Sequence, residues 1–349
     1  MCVASKAKIP VASNYITPNK GKQYKCPSGY KGIPLNDKKQ FVNLEFPFFF
    51  SYCRILKWLP GHAVNLLKNM CMRFPVIYNR TKDFLNKDNC IMWLGHASFY
   101  IRLNGVRILI DPHFNNTFPY FRHTSLVTDP DYFTSIDLIL ISHDHADHCN
   151  AASLKKLFKN NPEAIIIAGL GMSLLLEKWC ERKNKIVCLE WYEKFSYNEV
   201  NIFFVPAQHY SKRIFKPFCR TLWGGFIIES NNDLKCSIYF AGDSGYAGHF
   251  KDIGTVFKPD IAIMGIGAYA PEWFMKANHI SPKETYKAFI DSGACKLIPM
   301  HFQTFNLSNE PMREPLQKLY KIADPDKLAV LKQGIITSLK SILKLPHQV

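Results

Sequence analysis

The 349-residue chain has no run of the roughly 18 apolar residues that a membrane-spanning helix needs. Its most apolar stretch, residues 46–56, is short and is broken by Pro47 and Arg54. The opening Met1-Cys-Val-Ala-Ser-Lys lacks the apolar core of a secretory signal, so the expected location is cytoplasmic. Eleven cysteines, an odd number, are scattered without the close spacing of a disulfide framework or a C-x-x-C pair, which fits reduced, mostly buried thiols. Two common catalytic loops are also missing. There is no G-x-S-x-G elbow to present a serine nucleophile and no G-x-x-x-x-G-K-[ST] loop to cradle a nucleoside triphosphate. Acidic residues are scarce at the start: residues 1–89 carry 15 Lys and Arg against 4 Asp and Glu, so +11 of the net +16 lies there. A basic, aromatic first quarter points to an anionic membrane surface more narrowly than to nucleic acid, which is not expected as a partner.

What is present divides into three parts. Residues 1–45 are rich in Lys, Pro, Gly and Asn and read as a basic, flexible arm. Residues 46–89 form an aromatic helical segment, with Phe48, Phe49, Phe50 and Trp58 crowded before Gly61 and Leu66, Leu67, Met70 and Phe74 at helical spacing after it. Two short helices are predicted there, and docking on the core is favoured over lipid contact. Residues 90–349 alternate strands with loops and helices. Strands are predicted at 98–103 and 107–111 around the Asn104-Gly105 hairpin turn, then at 137–142, 164–168, 186–189, 201–206, 222–229, 237–241, 260–265 and 296–300. Helices are predicted near 151–158, 174–182, 282–292 and 311–322. Hairpins first and interleaved helices later imply an α/β fold with two sheets between helical layers.

The strand at 137–142 runs straight into His143-Asp144-His145-Ala146-Asp147-His148. At this composition H-x-H-x-D-H is roughly a one-in-two-thousand accident. Imidazole and carboxylate are ligands that divalent metals of borderline hardness prefer. Four ligands from six residues suit two ions better than one. No cysteine closes the shell, so open, reactive coordination positions follow. His209, Asp243 and His301 each come just after an apolar strand downstream and supply the further ligands. Cys149 abuts the motif and reads as packing.

The sequence resembles the metallo-β-lactamase-fold hydrolases of the branch that contains the N-acylphosphatidylethanolamine-hydrolysing phospholipase D. The likeness is carried by Trp93-Leu-Gly-His-Ala-Ser, Leu109-Ile-Asp-Pro, Lys212-Arg, Leu222-Trp-Gly-Gly, Phe240-Ala-Gly-Asp-Ser-Gly-Tyr, Ile266-Gly-Ala-Tyr, Trp273-Phe-Met and His279, over about residues 91–338. It implies an αββα sandwich of two mixed β-sheets flanked by helices. It implies two zinc ions, one on His143, His145 and His209, the other on Asp147, His148 and His301, bridged by Asp243; iron and manganese suit the same donors. It further implies that His279 lies beside the substrate phosphate and that Asp111 orients ligand side chains. Asp147, Asp243 and His279 are then the catalytic candidates. The sequence departs from the branch at Ala146, where relatives carry tyrosine, at Glu272 in place of arginine, and at Phe302-Gln303 in place of Trp-Gly.

The implied activity is a phospholipase D-type phosphodiesterase releasing N-acylethanolamine and phosphatidic acid, on a protein peripherally attached to anionic membrane through residues 46–74, a homodimer being one permitted assembly. A sugar-phosphate lactonase or other soluble metallo-hydrolase keeps the metals and changes the bond. A nuclease is suggested by net charge alone. A lipid-binding scaffold with a vestigial site is the reading from another class.

Overall fold

The computed structural model describes residues 14–19, 21–47, 51–117, 120–181, 183–213 and 217–344. Short strands β1 (Asn14–Ile16) and β2 (Ile33–Leu35) pair antiparallel ahead of helix α1 (Tyr52–Asn69). The main portion follows as β3 (Cys90–Gly95), β4 (Ser98–Leu103), β5 (Val106–Ile110), β6 (Leu138–Ile141), α2 (Ala151–Asn160), β7 (Ile165–Gly169), α3 (Ser173–Leu176) and β8 (Lys185–Leu189). Next come β9 (Lys194–Tyr197), β10 (Val200–Val205), β11 (Gly225–Ser230), β12 (Cys236–Phe240), α4 (His249–Phe257) and β13 (Ile261–Gly265). The chain ends with α5 (Glu272–Met275), α6 (Pro282–Asp291), β14 (Lys296–Met300), α7 (Glu314–Tyr320), β15 (Ile336–Ser338) and α8 (Leu339–Lys344).

Two mixed sheets result, of order β15-β3-β4-β5-β6-β7-β8 and β14-β13-β12-β11-β10-β9. Period-two alternation sorts their side chains. Ile91, Trp93, Leu138 and Leu140 face the other sheet, where they join a core with Phe204, Phe226 and Phe240. Met92, Leu94, Ile139 and Ile141 face the opposite way, onto Leu154, Leu157 and Phe158 of α2. β6 is therefore buried on both faces, which is why its sequence is an unbroken apolar run. In one sheet the four strands β5 to β8 are joined by parallel pairing, and in the other the three strands β12 to β14. Their carboxyl ends open on one edge, the position where open α/β sheets place their ligands.

The described part of the 1–45 arm is bound to the core rather than free. Lys22 pairs with Glu190 and Glu193 at 3.2 and 2.9 Å, and Lys25 with Glu229 at 2.9 Å, so part of the basic excess is matched by acids of the main portion. The cysteines among the described residues form no disulfide.

α1 corrects two expectations. It is one 18-residue helix that passes through Pro60 and Gly61. A Cβ at Gly61 would meet only the end of the Asn309 side chain, at 2.8 Å. The buried residues of the face that docks are polar, His62, Asn65 and Asn69. His62 Nδ1 meets Ser308 O at 3.2 Å, and Asn65 Nδ2 donates to Asn306 Oδ1 and Ser308 O at 2.9 and 2.6 Å. Tyr52, Leu56, Leu59, Val64, Leu67 and Met70 point outward, Tyr52 and Leu67 being 75% and 70% exposed. Trp58 turns inward and stacks on His62 and Phe274 at 4.2 and 5.2 Å. Phe48, Phe49 and Phe50 lie outside the described residues. Among those described, no helix is long and apolar enough to cross a membrane.

Candidate metal centre

Beyond β6 the backbone turns sharply: His148 N and Cys149 N both donate to His145 O, at 3.2 and 2.7 Å, before Asn150 caps α2. The turn aims His143, His145, Asp147 and His148 toward the open sheet edge and sends Asp144 away, where its Oδ1 accepts from Lys212 N at 2.8 Å. Cys149 is fully buried, in keeping with packing. β10, β12 and β14 deliver His209, Asp243 and His301 to the same edge. His301 takes a positive φ of 62°, and Gly242, at φ 64°, sits where a Cβ would meet Gly224 O at 2.6 Å.

All seven residues expected as ligands converge. His143, His145 and His209 form one group, with His145 Nδ1 lying 3.0 Å from His143 Nε2 and 3.1 Å from His209 Nε2. Asp147, His148 and His301 belong to a second. Asp243 reaches both: its Oδ2 is 3.1 Å from His148 Nε2 and 3.9 Å from both His143 Nε2 and His209 Nε2, and its Oδ1 is 3.2 Å from His301 Nε2. Asp111, fully buried at φ 40°, accepts from Ser142 N and Oγ at 2.7 and 2.5 Å and faces His148 Nδ1 at 2.7 Å. That contact fixes which nitrogen of His148 looks into the site.

The residues fit a divalent cation on two counts. His148 Nε2 and His301 Nε2 are buried and lack an ordinary hydrogen-bond partner although both aim at the carboxylates. Charge tells the same story. Burial would raise Asp147 and Asp243, yet the imidazoles around them, His148 foremost, hold both carboxyls well below the usual range. Burial would equally lower His148 and His301, but Asp243 and Asp147 raise them, His301 to about 9. Two buried carboxylates thus demand positive charge at this point. The other triad is different: burial, then the neighbouring imidazoles, drives His143 and His209 well below their ordinary value, so they are neutral donors.

His279 sits at the rim with its Nδ1 3.8 Å from Asp243 Oδ2, and burial lowers it to about 4, so it is a neutral imidazole rather than a cation. It closes one end of a cavity of about 290 Å³ whose wall includes Arg54, Ile55 and Trp58 of α1 together with Phe274 and Met275. Of the departures from the resembled branch, Ala146 is exposed, Glu272 pairs with Lys276 at 2.8 Å on the surface, and Phe302 packs on Trp93.

Sequence reasoning passed over two residues of the site. Asn43, from the supposedly free arm, donates to His209 O at 2.9 Å and accepts from His209 N at 3.1 Å. His96 lies 3.0 Å from Asp147 Oδ2. Its signal was a histidine directly after glycine between two apolar strands; Asn43 carried none.

The family pattern described as "Beta-lactamase superfamily domain" matches residues 106–302. The chain is 30% identical to N-acyl-phosphatidylethanolamine-hydrolyzing phospholipase D 1 of Caenorhabditis elegans over 71% of this chain and 74% of that protein. It is 30% identical to a metal-dependent hydrolase of Caldivirga maquilingensis over 71% and 97% of the two chains. An uncharacterised Mycobacterium tuberculosis protein is 31% identical over 69% of this chain, which spans 65% of that relative's length. The fold matches the structure of a metallo hydrolase from Ignicoccus hospitalis with a TM-score of 0.55 at 22% identity, covering 71% and 97% of the two chains.

Purified protein is expected to carry close to two equivalents of transition metal, by elemental analysis, and to lose hydrolysis on chelation. Metal-free protein with chelator-resistant activity would contradict the ligand set.

Proposed function

The chain belongs to the metallo-β-lactamase superfamily, and from that premise we propose that it is a dinuclear zinc phosphodiesterase of phospholipase D type. Its proposed substrate is an N-acylphosphatidylethanolamine-like lipid, and its products N-acylethanolamine and phosphatidic acid. The observation that carries the lipid reading is the cavity of about 290 Å³ beneath α1, apolar along Ile55, Trp58 and Phe274 and ending at His279 beside the metal-ligand cluster. A cavity of that size takes the part of a lipid next to the scissile bond and leaves acyl chains outside.

Two divalent ions, when bound, supply Lewis acidity and a nucleophilic water at neutral pH. The protein's own part is to hold and shield. Asp243 sets the spacing between the two triads. Ser142, Asp111 and Asn278 meet the distal nitrogens of His143, His148 and His209, which keeps the metal-facing nitrogens bare. His279 offers a ring N–H to a phosphoryl oxygen at the cavity's end. Trp58 and Phe274 exclude bulk water and strengthen each of these interactions. Hydrolysis breaks the phosphorus–oxygen bond to the ethanolamide, whose oxygen leaves with a proton.

The partner that goes with this substrate is an anionic bilayer met by the outer face of α1. Residues 46–74 contain Arg54, Lys57, Lys68 and Arg73 and no acidic residue. Exposed Leu56, Leu67 and Met70 would supply apolar insertion, and each cation near the surface about 1 kcal/mol, screened within a Debye length. The protein is expected to co-sediment with vesicles containing anionic lipid at low salt, less at high salt, and less still as a Leu56→Glu, Leu67→Glu variant. On such vesicles it should release N-acylethanolamine until chelator is added, and resume with zinc. Chelator-sensitive turnover of a soluble lactone or ester, with neither sedimentation nor lipid hydrolysis, would favour the soluble hydrolase.

A further inference from the structure

His96 occupies the tight turn between β3 and β4, where Gly95 and His96 take φ values of 105° and 53°. Left-handed backbone is unfavourable for a residue with a Cβ, so contacts beyond the turn must hold it there. Three do. His96 N donates to Thr304 Oγ1 at 2.7 Å, and His96 O accepts from Trp93 Nε1 at 2.9 Å and from His301 N at 3.1 Å. The last bond ties the turn to the backbone of a proposed ligand. The ring is buried, lies 4.0 Å from the ring of His301, and brings Nε2 to 3.0 Å from Asp147 Oδ2.

We infer that His96 is a positioning residue of the metal centre: its Nε2–H donates to Asp147 Oδ2 and fixes the orientation of that carboxylate, and His96 itself binds no metal. The inference rests on the ligand assignment given above. Distance alone would admit ligation, since the ring nitrogen, Asp147, His148 and His301 all lie within 4.8 Å of one another. The far side of the ring decides. A ligating histidine binds through a bare nitrogen, so its other nitrogen carries hydrogen and needs an acceptor. His143, His148 and His209 have such partners in Ser142 Oγ, Asp111 Oδ2 and Asn278 O, at 2.9, 2.7 and 2.9 Å. His96 Nδ1 is buried with none. Ligation through Nε2 would leave Nδ1–H an orphaned donor, whereas a proton on Nε2 meets the one partner the ring has. Asp147 Oδ2 also lies 3.6 Å from His148 Nε2 and 3.8 Å from His301 Nε2. Pinning this oxygen therefore holds Asp147 facing the other two proposed ligands of the second site.

The test is zinc titration of the metal-free full-length protein and its variants, reading each equivalent separately. His96→Phe keeps ring volume without the donor and should weaken the second equivalent by about 10–100-fold, leaving the equivalent on His143, His145 and His209 unchanged. His96→Gln keeps an N–H donor and should recover most of the loss. Unaltered binding of both equivalents by His96→Phe would overturn the inference. So would equal losses in the two variants with a changed cobalt(II) ligand-field spectrum in His96→Gln, the mark of a lost ligand. Long-range ¹⁵N–¹H spectra of the zinc-loaded wild type need no variant: the Nε2–H tautomer is expected, and a metal-shifted Nε2 would refute it. A wild type that takes up no metal at all would instead remove the ligand assignment beneath it.

Discussion

Asp243→Ala is expected to abolish hydrolysis in a protein that stays folded. Its carboxylate lies within 3.9 Å of ring nitrogens from both triads: His143 and His209 on one side, His148 and His301 on the other. A group so placed would set the separation of two bound ions as well as hold them, so its loss would remove the shared geometry and not merely one bond. The side chain stands on the loop after β12, outside the packed interior between the sheets, so the cores that stabilise the fold are untouched. Asp111→Asn offers the scale. Asp111 would act on metal through His148 and, by way of Ser142 Oγ, through His143, and such outer contacts are worth about 10–100-fold in affinity or activity. Asp243→Ala should exceed that, with depressed metal content by elemental analysis and an unchanged far-ultraviolet circular dichroism spectrum. Near-native metal content and turnover in Asp243→Ala would mean that the bridging assignment is wrong.

Why so much of this centre could be read beforehand follows from where its parts sit in the chain. Ile139 and Ile141 face one core and Leu138 and Leu140 the other, so β6 had to be an apolar run, and the ligand turn begins two residues after it ends. His209, Asp243 and His301 follow strands whose alternation is local. His96 was different. Its value depends on Asp147, 51 residues away, and nothing in Gly95-His96 says which acid the turn will face. Asn43 is more remote still, reaching His209 across 166 residues. α1 docks on the core as expected but as one helix and by a different side: apolar periodicity locates a stripe but not what it faces, and here asparagine and histidine hydrogen bonds dock the opposite side. The helix expected near 174–182 shrinks to Ser173–Leu176, and α4, with Phe250, Ile253 and Phe257 buried, spans only nine residues, too short for its apolar spacing to stand out.

His279→Ala should separate substrate recognition from metal chemistry. The residue lies outside both triads; its ring centroid is 5.2 Å from that of His209 and 5.4 Å from that of His301, and it lines the cavity under α1. Seven other side chains are the proposed ligands, so metal content should be unchanged. Because burial lowers His279 to about 4, the ring is neutral at neutral pH and acts through one N–H rather than through charge. Such a donor is worth most against an anion in a water-poor cavity, where a hydrogen bond to a charged oxygen is about twice as strong as one to a neutral carbonyl. Hydrolysis of an anionic phosphodiester should therefore fall by roughly 10²–10³-fold, the range for a lost hydrogen-bond donor to developing charge. A small neutral ester, which presents no phosphoryl oxygen, should lose far less. His279→Gln, which restores an N–H donor, should fall between wild type and alanine on the phosphodiester alone. Equal losses on both substrates, or metal lost along with activity, would make His279 a structural support of the cavity instead of a contact to substrate.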